Sequence, residues 1–299
     1  MLEECRLCPF ECKINREEGA LGRCRAGKNA KIALYKLHYD EEPCISGENG
    51  SGTVFFSNCN LKCVFCQNYE ISSEEYGEEI SIQRLAEIFI ELQEKNANNI
   101  NLVTATPYVY QIIEAIKLAK EKGLKIPIVY NSSGYESIET LKLLDGYIDI
   151  YLPDFKYMDN NLAKRLSGAE NYTEIVKEAI KEMYRQVGNP VLDENGIMKK
   201  GLIIRHLILP NYIENSKKVI SWISENINKE VFISIMSQYF PCYKAKDMED
   251  INRKISYEEY KETESFILDL DIENGYMQDF LPDEDEEKYV PDFKNKNQL

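Results

Sequence analysis

An α/β fold is what this sequence predicts: a partial (βα)6 barrel of the TIM-like kind, with a small cysteine-rich N-terminal segment and an acidic C-terminal extension. Three observations carry that expectation. Between Gly52 and about Gln238, short β-branched apolar runs alternate with stretches whose apolar residues recur at helical spacing. The alternation repeats six times rather than eight, which leaves a parallel sheet with right-handed crossovers short of closure. Polar turns bearing glycine or proline follow the runs, at the C-terminal strand ends where such barrels carry their chemistry.

Strands are expected over 53–57, 100–104, 126–131, 147–152, 202–209 and 231–237. The first helix opens at Ser81, a good N-cap, and Leu85, Ile88, Phe89 and Leu92 give it one apolar face. Further helices are expected over 108–122, 137–144, 173–187 and 214–226. Gly123 and Gly188 are placed to end the second and the fourth. The domain boundaries read as 1–50, 51–240 and 241–299. The last segment has 8 Lys/Arg against 17 Asp/Glu, one helix over 257–270, and the run Asp283-Glu284-Asp285-Glu286-Glu287, a solvated charge block.

Composition excludes several partners. A net charge of −15 over 299 residues argues against nucleic acid and anionic membrane, which both require a basic face. Met1-Leu2-Glu3-Glu4-Cys5 has no apolar h-region, and no run approaches the roughly 20 apolar residues of a membrane span. The longest apolar run, 201–209, is interrupted by Arg205 and His206. Nine cysteines in such a chain suggest metal ligands rather than disulfides, so a cytoplasmic, oxygen-sensitive protein is expected.

The chemistry concentrates in Cys59-Asn60-Leu61-Lys62-Cys63-Val64-Phe65-Cys66, directly after the first strand. Three thiolates can hold three irons of a cubane cluster and leave the fourth open, whereas a closed electron-transfer cluster takes four. An open position is where a metal does chemistry. A zinc site with a distant fourth ligand, or a chance group of buried thiols, is the blander reading. Cys5-x2-Cys8-x3-Cys12-x11-Cys24, with Gly19, Gly22 and Gly27 nearby, supplies four thiols for a closed site. Structural zinc and a second iron–sulfur cluster both want such a set, and spacing leaves the choice open. Cys44 and Cys242 read as small buried apolar residues.

Strand alternation puts Asp154 and Lys156 on one face at the end of the fourth run, where they can hold a ligand's amine and carboxylate or form a plain ion pair. Arg205 and His206 fall on opposite faces of the fifth, so one can line the interior while the other is a core histidine. Asn131 and Ser132, and Thr104 and Thr106, sit in polar turns after the third and second runs; ordinary turn chemistry explains them equally well.

The three-cysteine loop, with Phe65 before its last thiol, resembles the signature of the radical S-adenosylmethionine (SAM) superfamily. The chain is similar over nearly its whole length to the proteins related to pyruvate formate-lyase activating enzyme. The matching stretches are 42–47, 52–68, 99–104, 129–135, 141–157, 182–188, 205–210 and 236–241. That resemblance implies a 4Fe-4S cluster on Cys59, Cys63 and Cys66, with SAM chelating the open iron. Phe65, Thr104, Thr106, Asn131, Ser132, Asp154, Lys156 and Arg205 would then bind SAM, Lys156 through its carboxylate. A flavodoxin or ferredoxin would supply the electron. Thr104-Ala105-Thr106-Pro107 stands where activating enzymes carry Gly-Gly-Glu, and those enzymes lack the four-cysteine segment. The leading expectation is a radical enzyme acting on a protein backbone or side chain. A small-molecule substrate is the alternative within enzymes, and a non-catalytic iron–sulfur carrier or sensor the alternative outside them.

Overall fold

Apolar β-branched runs become strands in the computed structural model, which describes residues 2–270, 272, 274–281 and 290–293. In chain order they are β1 (Ala30–His38), β2 (Ser51–Phe56), β3 (Glu78–Ile80), β4 (Ile100–Val103), β5 (Ile128–Ser132), β6 (Ile150–Pro153), β7 (Val191–Leu192), β8 (Met198–Leu207), β9 (Phe232–Met236) and β10 (Gly275–Met277). They form one open sheet in the order β10-β9-β8-β6-β5-β4-β2-β1-β3, with β7 pairing to β8 off this path. The six expected strands are β2, β4, β5, β6, β8 and β9, all parallel to their neighbours in that series. Every residue of β2, β4, β5 and β6 is buried, as in a sheet covered on both faces. Helix Ile82–Glu94 carries the Ser81 cap, its hydroxyl accepting from the Arg84 amide, and buries the predicted apolar face. No helix among the described residues is long and apolar enough to cross a membrane.

The departures have physical causes. β1 lies in the stretch read as aperiodic, because partial burial of both its faces hides the period of two. It pairs antiparallel with β2, Lys36 opposite Thr53 and His38 opposite Ser51, so the sheet begins before residue 50. Helix Asn160–Ser167, absent from the sequence reading, is too short to show a period. Its ends are marked instead by Asp159, whose carboxylate accepts the Asn161 amide at 2.7 Å, and by left-handed Gly168. The strand expected to reach Thr104 stops at Val103, because Thr104 has φ of 63°. A β-branched residue there is strained, and such strain gathers at functional turns. Past residue 241, helix Tyr257–Asp269 forms with a Ser256–Glu259 capping box, and β10 adds a parallel strand beside β9. The run Asp283–Glu287 lies outside the described residues.

The loop after β2 is braced from two sides. Its Lys62 and Val64 amides donate to the carbonyls of Ser167 (3.0 Å) and Leu166 (2.8 Å), which the last turn of helix Asn160–Ser167 leaves without partners of its own. After β9, the Ala245 amide donates to Val64 O and the Cys242 thiol to Phe65 O. Phe65 is buried edge-on against Tyr239.

Candidate active site

Cys59, Cys63 and Cys66 line one cavity of about 470 Å³ at the C-terminal ends of the parallel strands. Phe65, Thr104, Thr106, Asn131, Ser132, Asp154, Lys156 and Arg205 line it too, so the structure brings together all of the residues expected to meet SAM. Each thiol has a polar neighbour. Ser167 Oγ is 3.0 Å from Cys63 Sγ, Ser72 Oγ is 3.3 Å from Cys66 Sγ, and Cys59 Sγ donates weakly to Asn60 Oδ1 at 3.7 Å. Burial raises all three thiols above their ordinary value, Cys66 to about 11, so alone they stay protonated at neutral pH. A cationic metal centre is what converts such a set to thiolates. Among the described residues no three His, Cys, Asp or Glu side chains close around a single metal ion. A cubane spreads its thiolates over separate irons and holds them further apart than one ion does.

Beside the thiols stands a charged network. Lys156 Nζ lies 2.6 Å from Asp154 Oδ2, and Arg205 reaches Asp154 Oδ1 (2.9 Å), Glu41 Oε2 (3.2 Å) and Asn131 Oδ1 (2.7 Å). Burial works against the Asp154 charge, but Arg205 and Lys156 outweigh it and hold that carboxyl below its usual range. Glu41 moves the other way: burial raises it, and Arg205 only partly opposes. Two cations thus flank the Asp154 carboxylate, and the Lys156 ammonium has further N–H groups to offer an anionic ligand group. The Ser133 hydroxyl, which also lines the cavity, is buried without a hydrogen-bond partner among the described residues. A ligand with amino, carboxylate and hydroxyl groups fits this lining.

His206 points away from the cavity. It is fully buried between Phe155 O (2.7 Å, to Nδ1) and Ser216 Oγ (2.8 Å, to Nε2). The carbonyl requires Nδ1–H, and burial lowers the ring to about 4, so this histidine is neutral and structural.

Sequence reasoning missed several participants. Glu41 precedes the short helix Pro43–Ser46 and has no motif of its own; Ser72 and Ser167 sit in turns too short for periodicity. Glu136 is buried behind the Thr104–Pro107 turn, accepting from Thr106 Oγ1 at 2.6 Å and Tyr130 OH at 3.4 Å. Burial pushes it up to about 7 although Thr106, Ser132 and Tyr130 bond to it. Its folded value thus exceeds the ordinary value of 4.5 for a free glutamate. Stability from this group is fully present below the unfolded value and is lost as pH rises through about 7. Glu136→Gln should remove that slope and stabilise the fold at about pH 8 by up to on the order of 3 kcal/mol, read as a higher urea midpoint than wild type. Equal midpoints at about pH 8 would contradict it.

The N-terminal thiols form a second group. Cys5, Cys8, Cys12 and Cys24 line a cavity of about 20 Å³ with Arg16, Gly22, Asn60, Thr106 and Pro107. Burial pushes Cys8 up to about 12 and raises Cys24, with Arg16 pulling Cys24 back. The Arg23 amide donates to Cys12 Sγ at 3.4 Å. A side chain at Gly22 would bring its Cβ within 2.9 Å of that sulfur, so the turn needs glycine. Cys44 and Cys242 are buried singly, outside both groups.

β1 contributes Lys36 and His38 to the cavity lining, and Val290, Pro291 and Asp292 line it too. Phe293 anchors that segment, buried edge-on against Phe55 at 5.5 Å.

Fold and site together describe an open α/β barrel with three thiols and a charged network in one cavity at the C-terminal strand ends. Comparison with known proteins agrees. Residues 53–200 match the family model of the radical SAM superfamily. The uncharacterized protein MJ0674 of Methanocaldococcus jannaschii is 34% identical over 284 residues, covering 90% of this chain and 77% of that one. The pyruvate formate-lyase-activating enzyme of Clostridium pasteurianum is 22% identical over 241 residues, covering 76% of this chain and 93% of that one. Among solved structures, methylornithine synthase (PylB) superposes with a TM-score of 0.50 at 15% identity, covering 80% of this chain and 75% of its own. The [FeFe]-hydrogenase maturase HydG gives the same score at 12% identity; this chain, 73% of it covered, spans about half of that one (49%). The chain belongs to the radical SAM superfamily.

Proposed function

We propose that this protein is a radical SAM enzyme of the glycyl-radical activating-enzyme kind, abstracting hydrogen from a backbone or side chain of a protein substrate. The superfamily's 4Fe-4S cluster and SAM, when bound, supply one-electron cleavage of the sulfonium to a 5′-deoxyadenosyl radical. The observation that carries the reading is the single cavity shared by Cys59, Cys63 and Cys66 with Asp154, Lys156 and Arg205. The three thiols hold the cluster, and the loop bonds to Leu166 and Ser167 fix where it stands. Lys156, beside Cys63 and Asp154, offers its ammonium to SAM's carboxylate; Asp154 keeps it charged, raising it against the pull of burial. Asn131, Ser132 and Ser133 offer their polar groups to the ribose and adenine, and Phe65 walls the site from water.

A protein substrate is favoured by the lining of the cavity. Peptide already lines it, Val290 to Asp292, with Phe293 seated on Phe55. A peptide segment with an aromatic anchor is thus something the cavity wall accommodates. A small-molecule substrate, or a carrier without turnover, has no comparable observation in its favour. A low-potential carrier of the flavodoxin or ferredoxin class would provide the electron, in the cytoplasm.

The test is anaerobic: reconstituted, reduced protein should convert SAM to 5′-deoxyadenosine, and absence of product at full iron and sulfide loading would defeat the reading. Lys156→Ala, matched for cluster content, should bind SAM at least roughly tenfold more weakly, about 1.4 kcal/mol. Unchanged affinity in a SAM titration would detach Lys156 from SAM's carboxylate.

A further inference from the structure

We propose that Cys5, Cys8, Cys12 and Cys24 hold a redox-active iron–sulfur cluster, and that it hands one electron to the centre at Cys59, Cys63 and Cys66 through Arg23 and Asn60. The inference rests on the function proposed above and adds the electron's route to it.

The first support is charge. Four thiolates around a centre of charge +2 leave a net negative group. Arg16 is buried in the wall of that cavity, donating to Gly27 O (2.9 Å) and Pro107 O (2.7 Å), and no carboxylate pairs with it among the described residues. A buried guanidinium without a carboxylate needs a compensating anion, and the thiolate-bound centre provides one.

The second support is connection. The Arg23 amide donates to Cys12 Sγ, and its side-chain Nε donates to Asn60 O at 3.4 Å. Asn60 is covalently next to Cys59 and accepts from that thiol through Oδ1. Arg23 is also held by Gly168 O at 2.8 Å and by the Phe10 ring 4.1 Å from its guanidinium carbon. A short bonded path thus runs from one thiol group to the other. Asn60 and Thr106 line both cavities, so the two groups share a wall. Zinc has no redox chemistry, and a structural zinc would have no use for that path.

The third support is where a donor would meet the molecule. The first 31 residues carry 7 Lys/Arg against 5 Asp/Glu in a chain whose net charge is −15. An acidic donor finds its least repelled approach there. Electrons balance simply. A low-potential one-electron protein donor of the ferredoxin or flavodoxin class is oxidised as the N-terminal cluster is reduced. That cluster is reoxidised as the centre at Cys59 takes the electron, with no bond made or broken and no proton moved.

The experiment compares the anaerobically reconstituted full chain with Cys5→Ser/Cys24→Ser and with Arg23→Met. Iron and sulfide should fall by about half in the double variant and stay at the wild-type level in Arg23→Met. Reduced wild type should show two spin-coupled paramagnetic signals, and the double variant a single uncoupled one. With dithionite, a small reductant that reaches either centre, both variants should still form 5′-deoxyadenosine. With reduced ferredoxin, reduction of the centre at Cys59, followed by stopped-flow absorbance, should slow roughly tenfold or more in both. Zinc in the anaerobically prepared wild type, or ferredoxin-driven rates equal to wild type, would overturn the relay. If the double variant does not fold, Arg23→Met decides by its rate alone. Failure of the wild type with dithionite would count against the proposed function instead.

Discussion

Cys59→Ala, Cys63→Ala and Cys66→Ala should each reduce 5′-deoxyadenosine formation to the uncatalysed background while leaving the sheet intact. In the proposed cluster each thiolate answers to a different iron, so losing one removes a ligand that water cannot replace with equal affinity. The fold survives because the loop is held by backbone bonds that do not involve sulfur: Lys62 and Val64 to the end of helix Asn160–Ser167, and Ala245 to Val64. Circular dichroism and a urea midpoint near wild type would establish folding. Product assays under dithionite would establish the loss, and undiminished turnover in any one variant would remove that cysteine from the cluster.

Arg205→Met should produce the largest stability change of any single substitution in the cavity. Arg205 bonds Asp154, Glu41 and Asn131 from a side chain only 13% exposed. Removal leaves Asp154 to Lys156 and Glu41 to the Asn101 and Asn131 amides. Breaking a buried pair from one side costs on the order of 3–5 kcal/mol. The pH dependence distinguishes this cause from lost packing. Wild-type Asp154 has a depressed folded value, so its contribution is present above the unfolded value and lost as pH falls through the folded one. Without Arg205, burial raises both carboxyls, and the variant should regain stability on acidification toward about pH 5. Arg205→Met/Glu41→Gln should recover part of the loss at neutral pH. Urea midpoints across that range test this, and a deficit independent of pH would assign the effect to packing.

Much of this was legible because the elements concerned repeat. Six parallel strands and the helices 82–94, 109–121 and 213–226 announce themselves through period and caps, whatever surrounds them. The three thiols were legible from their spacing on one loop, and Asp154 and Lys156 because side-chain alternation at a strand end fixes a shared face. What escaped is non-local. Glu41 reaches Arg205 only because β1 folds back on β2, a pairing no sequence window contains. Ser167 meets Cys63 because a two-turn helix ends there. The bond from Arg23 to Asn60 joins two cysteine motifs that sequence treats as separate.

The open sheet has one more consequence, for solubility. An unclosed barrel has two free borders, and unpaired backbone invites strands of neighbouring molecules to add on. Here one border is β3, three residues long, with Glu78 and Glu79 exposed on it. At the other is β10, also three residues, opening with Gly275, where a Cβ would strike the Ile233 carbonyl at 2.0 Å. Neither offers the long, flat, apolar edge that seeds intermolecular sheets. Among the described residues, both borders of the sheet are therefore poor templates for a strand from a neighbouring molecule.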